Sequence, residues 1–199
     1  RRISVSRDRL MDGNFEMNGL RPMLRLENST ICFVGFGNIA RNLYRKMRAF
    51  FGHVVAVDPY ITDRSMYPDV EFLELHEALS RADVVTMHLQ LTPATRGIIG
   101  EQEFQSMKPG VIFVNTARGG LVDEAALMRA LDSGRISYCA LDVLGTENFS
   151  ESPLLHRENV ILTPHISWCS EAALAELQKK TAQNVVETFL HGEPIYRAV

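Results

Sequence analysis

Apolar and polar positions along this 199-residue chain change period in a regular way. Short, nearly unbroken apolar runs stand at TICFVG (30–35), HVVAVD (53–58), DVVTMH (83–88), GVIFVN (110–115), ISYCALDV (136–143) and NVILTP (159–164). Between them lie segments with helical spacing at 38–51, 74–81, 101–107 and 123–133. A longer one runs from 170 to about 190 and is closed by Gly192 and Pro194, both stop signals. A strand covered on both faces loses the in–out alternation, and strands that each lead into a helix pair in parallel. Six such strands predict an α/β fold, a doubly wound parallel-sheet Rossmann domain with helices on both faces. Residues 1–28 are predicted to form an N-terminal helix and an irregular connector, and 29–199 the Rossmann domain, without repeat or internal boundary.

Composition narrows the function classes. Hydrophobic residues make up 46% and charged residues 23%, as in ordinary globular domains. The net charge of −3 offers a polyanion no attraction, so nucleic acid is not expected as a partner, and Arg1, Arg2, Arg7 and Arg9 read as a solvated helical face. No apolar run is long enough to cross a bilayer, and no secretory h-region is present. Cys32, Cys139 and Cys169 are odd in number and widely spaced, and two fall in strand-like runs. Buried thiols in a reducing, cytoplasmic compartment are the expectation, with no metal site.

The run VGFGNIA places Gly35 and Gly37 between the first strand and the first helix. Gly35 permits the tight turn, Gly37 lets the backbone approach a pyrophosphate, and the amides of Asn38 and Ile39 face it from the helix N-terminus. Ala40 takes the place of the third glycine and still permits close helix–sheet packing. Asp58 closes the second strand about twenty residues further on, where a carboxylate accepts from both ribose hydroxyls and repels a 2′-phosphate. NAD is therefore expected over NADP, with Arg64 nearby to soften the preference. The plainer reading of Asp58 is that it starts the turn at Pro59.

Three further strand ends carry chemistry-bearing residues: Arg118 in NTARGGLVDEAAL, Asp142 and Glu147 in ALDV…E, and His165 in LTPHISW. Taken singly, they read as a helix cap, loop carboxylates and a strand-end histidine. Taken together, in this order and spacing, they resemble the D-isomer-specific 2-hydroxyacid dehydrogenases, the family of phosphoglycerate dehydrogenases and glyoxylate/hydroxypyruvate reductases. The resemblance rests on MKPGVIFVNTARGGLVDEAAL, on ALDV…E with TPHI, on HLQLTPATRGIIG (88–100) and on the closing FLHGEPI. It runs from about Leu26 to the C-terminus.

The resemblance implies an NAD-dependent oxidoreductase that moves a hydride between the cofactor and a small D-2-hydroxy or 2-oxo acid. His165 would be the general acid for carbonyl reduction and the base for oxidation, oriented by Glu147. Arg118 would clamp the substrate carboxylate with its planar fork and polarise the carbonyl. Asp142 would accept from the nicotinamide carboxamide, Thr116 and Ala117 would support the ring, and Thr92 would lie near the nicotinamide ribose. A cytoplasmic homodimer formed through the NAD-binding domain is implied as well.

Some positions depart from the family pattern. Asn148 follows Glu147 where the family usually has Pro, Gln90 stands where Pro is common, and ISWCSEAA follows where many members have glycine and small residues. These changes blur substrate identity and leave the reaction class. Family members build a substrate domain largely from residues ahead of the Rossmann unit, so that half is expected to be absent here and the chain alone to be inactive. Two alternatives are an NAD-sensing corepressor-like interaction protein, which keeps the same triad, and a phosphite- or formate-type dehydrogenase. Formate enzymes pair the histidine with Gln, so Glu147 argues against formate.

Overall fold

The computed structural model describes residues 3–16, 23–145 and 149–197. The chain divides into two compact units, Arg1–Pro164 and His165–Val199. In the first, α1 (Ile3–Met11) precedes β1 (Thr30–Val34), α2 (Asn38–Met47), β2 (His53–Val57), β3 (Val70–Phe72) and α3 (Leu75–Arg81). There follow β4 (Val84–Met87), α4 (Glu101–Ser106), β5 (Val111–Asn115), α5 (Glu124–Asp132), β6 (Ile136–Leu141) and β7 (Val160–Leu162). The strands form one parallel sheet in the order β3-β2-β1-β4-β5-β6-β7, the doubly wound Rossmann arrangement.

The unbroken apolar runs have the cause expected of them. All five residues of β1 are buried, because its odd and even positions feed two different cores. Cys32 and Val34 join Val55, Val85, Met87 and Phe113 on the face covered by α3, α4 and α5, with Leu79, Phe104 and Leu127 packed in. Ile31 and Phe33 join Val54 and Ala56 on the other face, under Ala40 and Tyr44 of α2. Ala40, the substitute for the third fingerprint glycine, is fully buried against the sheet.

Strand β3 was not foreseen from the sequence. It is three residues long, follows Pro68 and Asp69, and lies at the sheet edge with Glu71 exposed, so it has no periodicity to reveal it. The helix expected over 38–51 ends as α-helix at Met47 and tightens into a 3-10 turn at Arg48–Phe50, a common way to satisfy the last carbonyls.

The register matters most for function. Val57, Val34, Met87, Asn115, Leu141 and Leu162 are paired successively across the sheet. The next residue of each strand, namely Asp58, Gly35, His88, Thr116, Asp142 and Thr163, therefore leaves the sheet along one line at its carboxyl edge.

In the second unit, α6 (Glu171–His191) starts at Ser170, whose hydroxyl accepts from the Ala173 amide at 3.1 Å, and ends at left-handed Gly192. The tail returns along the helix: Asn184 donates to the Tyr196 carbonyl and accepts from its amide, both at 2.8 Å.

Candidate active site

The glycine turn is held from below and open above. Gly35 has φ +88°, and a Cβ there would lie 2.9 Å from the His88 carbonyl carbon and oxygen, so a side chain is excluded twice. Phe36 buries its ring completely, edge-on to Phe33, Tyr44, Tyr67 and Phe72. Its carbonyl accepts from Arg41 Nε at 2.9 Å. Gly37 is the N-cap of α2 without a side-chain cap, and the space its Cβ would occupy is empty. A helix N-terminus whose first amides meet no capping side chain, under an open approach, fits a pyrophosphate.

Asp58 is fastened to this turn. Its Oδ2 accepts from the Phe36 amide at 2.8 Å and its Oδ1 from the Tyr60 amide at 2.9 Å. Asp58 thus does start the turn at Pro59, and that role does not exclude the other: a carboxylate has about four acceptor sites, so capacity for hydroxyl donors remains.

Beyond β4, the His88 ring stacks on Phe33 and its Nε2 lies 3.0 Å from Thr86 Oγ1. Burial pushes its pKa down to about 4, so at neutral pH it is an uncharged wall behind Gly35. Thr92 is exposed on the following loop, where the Thr95 hydroxyl donates to the Gln90 carbonyl at 2.6 Å and accepts from the Thr92 amide at 2.8 Å. This loop joins the next through Gly97 N–H to the Gly120 carbonyl and a bridge between Ile99 and Val122.

The Arg118 loop hangs on one buried side chain. Asn115, 1% exposed, accepts from the Ala117 amide at 3.0 Å and donates to the Arg118 carbonyl at 2.9 Å. Thr116 and Arg118 are left exposed, with the Arg118 backbone extended and its Nη1 donating to the Ala117 carbonyl at 2.6 Å. Gly119 seats the loop: a Cβ there would fall 1.9 Å from the Leu144 carbonyl, closer than any side chain permits.

Asp142 is also 1% exposed, and its amide donates to the Asn115 carbonyl at 3.0 Å. Thr163 Oγ1 donates to Asp142 Oδ1 at 2.5 Å. The loop beyond is tied to α5 by the Gly145 amide, which donates to Glu124. It then leads to Glu147, which lies outside the described residues. His165 opens the second unit at φ +52°, an uncommon conformation for a non-glycine residue, with its carbonyl accepting from Trp168 Nε1 at 2.9 Å.

Gly35 and Asp58 thus meet through Phe36, and Thr116, Ala117, Arg118 and Asp142 meet through Asn115. Asn115 and Thr163 were not singled out from sequence. Their signal was a hydrogen-bonding residue closing an otherwise apolar run, which by itself reads as an ordinary strand end. Among the described residues no group of three or more His, Cys, Asp or Glu could hold a metal ion, and no helix is long and apolar enough to cross a membrane.

The model of the D-isomer specific 2-hydroxyacid dehydrogenase NAD binding domain matches residues 1–167. A D-3-phosphoglycerate dehydrogenase of Mycobacterium bovis is 41% identical over 174 residues, 85% of this chain and 32% of that protein. A glycerate dehydrogenase of Methylorubrum extorquens is 35% identical over 176 residues, 87% of this chain and 54% of that protein. The chain thus spans between a third and about half the length of these relatives. The crystal structure of D-lactate dehydrogenase with NAD+ from Lactobacillus jensenii aligns with a TM-score of 0.88 at 26% identity, covering 100% of this chain and 64% of that one. With the glycine turn, the acidic strand end and the Arg118 loop along one sheet edge, the chain belongs to the D-isomer-specific 2-hydroxyacid dehydrogenase family and is its NAD-binding domain.

Proposed function

We propose that this domain serves an enzyme that interconverts a small D-2-hydroxy acid and its 2-oxo acid, and that it carries the residues doing so. The observation that supports this best is the single line of strand ends, which brings a phosphate cradle, an acidic ribose site, an exposed arginine and a buried carboxylate to one edge. Gly35, Gly37, Asn38 and Ile39 would hold the pyrophosphate, and Asp58 the adenosine ribose, with NAD preferred to NADP. Thr92 would lie near the nicotinamide ribose, Thr116 and Ala117 under the ring, and Asp142 at the carboxamide. NAD, when bound, supplies the hydride acceptor or donor.

Arg118 clamps the substrate carboxylate, since an exposed guanidinium presents a planar fork that a point charge lacks. His165 moves the proton at the substrate oxygen, and Glu147 holds its imidazolium. The proposed homodimer is supported by α1, which leaves Ile3, Leu10 and Met11 exposed. The proposed cytoplasmic site is supported by three free cysteines.

The reading is tested by single-turnover reaction of stoichiometric protein and NADH with glyoxylate, hydroxypyruvate and pyruvate, which registers even slow chemistry. Of this chain alone only trace conversion is expected, far below an ordinary enzymatic turnover of about 10 per second, with the D-2-hydroxy acid (D-lactate from pyruvate) as product and only with Arg118 and His165 in place. L-Lactate as product, or conversion unaffected by Arg118→Ala and His165→Asn, would overturn it.

A further inference from the structure

We propose that Thr163 is a positioning residue, which fixes the Asp142 carboxylate in the orientation that receives the cofactor's carboxamide; this rests on the role proposed above for Asp142. A buried aspartate is not self-orienting, because its terminal torsion is broad and its carboxylate turns freely about it. Recognition of an amide requires the acceptor oxygen to lie close to the donor's axis, so a turned carboxylate loses the contact. Thr163 supplies the constraint. Its hydroxyl donates to Asp142 Oδ1 at 2.5 Å, the short end of the O–H···O range.

The donor is itself rigid. The Thr163 amide donates to the carbonyl of Leu141, the residue before Asp142, at 3.0 Å. A β-branched side chain has few χ1 choices, so the backbone bond sets the hydroxyl direction. On the other side, the Asp142 amide donates to the Asn115 carbonyl at 3.0 Å. The carboxylate is therefore set between β5 and the exit of β7, with 1% of the residue exposed and little water to reorient it. Serine keeps the hydroxyl at this position, whereas valine keeps the shape and removes the donor.

The test compares NAD with ADP-ribose, which carries every part of NAD except the nicotinamide, by calorimetry on the full 199-residue chain. For Thr163→Val, NAD affinity should fall about three- to tenfold, the worth of one hydrogen bond, with ADP-ribose affinity unchanged. Thr163→Ser should restore the NAD value. Asp142→Ala should lower NAD affinity at least as far and also spare ADP-ribose. If Asp142→Ala lowers NAD affinity and Thr163→Val does not, the positioning role is wrong and the Asp142 role stands. If Asp142→Ala leaves both affinities unchanged, the Asp142 role is wrong and the proposal goes with it. Equal losses of NAD and ADP-ribose affinity in Thr163→Val would mark Thr163 as a structural support only and overturn the proposal.

Discussion

Asp58 is held by two backbone amides, from Phe36 and Tyr60, before any ligand arrives. A carboxylate pinned in this way cannot swing aside to admit a 2′-phosphate. Asp58→Ala should therefore weaken NAD binding about tenfold while leaving NADP binding little changed or improved, and titration calorimetry with both cofactors reads the narrowed gap. Asn115 acts on the backbone instead. Its two bonds to the Ala117 amide and the Arg118 carbonyl would go unmade in Asn115→Ala, at a position only 1% exposed. We expect a stability loss of about 2–4 kcal/mol by urea denaturation. Asn115→Asp keeps the acceptor for Ala117 but turns a buried carboxylate oxygen towards the Arg118 carbonyl, so at neutral pH it should cost at least as much.

At the scale of the element, β1 and β6 each carry a cysteine into the core. Burial pushes the Cys32 thiol up to about 12 and raises that of Cys139 as well, so neither forms a thiolate at neutral pH. Cys169, just ahead of α6, is exposed. An aromatic disulfide reagent at neutral pH should modify one thiol per native chain, and three after denaturation. Fast reaction of three thiols in the native protein would contradict the packing of β1 and β6. The Arg118 loop and the 143–145 loop are likewise joined as elements. Gly119→Ala would drive a methyl group into the Leu144 backbone, and the two loops could not both keep their places. A loss of more than about 3 kcal/mol in denaturant titration is expected, well above the usual cost of a point substitution.

For the molecule as a whole, His88 sets an acid limit. Its pKa in the folded chain is about 4, against 6.5 for the free side chain, because burial disfavours the charged ring. Between those values the unfolded chain binds the proton and the folded one does not. Stability present above pH 6.5 is therefore lost as the pH falls towards 4, by up to about 3 kcal/mol. His88→Gln should flatten this limb in urea titrations between pH 7 and 4. The proposed homodimer is a molecular property too. Sedimentation at micromolar concentration should show a dimer, and Leu10→Glu with Met11→Glu should shift it to monomer.

The apolar runs, the helix stop at Gly192 and the glycine turn were legible in the sequence because each depends on local chemistry. Burial on two faces erases alternation, positive φ favours glycine, and a strand leading into a helix demands parallel pairing. The order and spacing of Arg118, Glu147 and His165 were legible as well, as a family pattern. Tertiary structure alone decided what holds the Arg118 loop and Asp142. The line running from Asp58 through Gly35, His88, Thr116 and Asp142 to Thr163 exists only once the register of six strands is set. Strand β3 pairs at the edge through β2 rather than through any periodicity of its own. The bonds from Asn115 to the Arg118 loop and from Thr163 to Asp142 depend on where a polar side chain points after burial. In sequence both are single polar residues at strand ends; folded, each is buried or half-buried and must find a partner, and the partner it finds is the site.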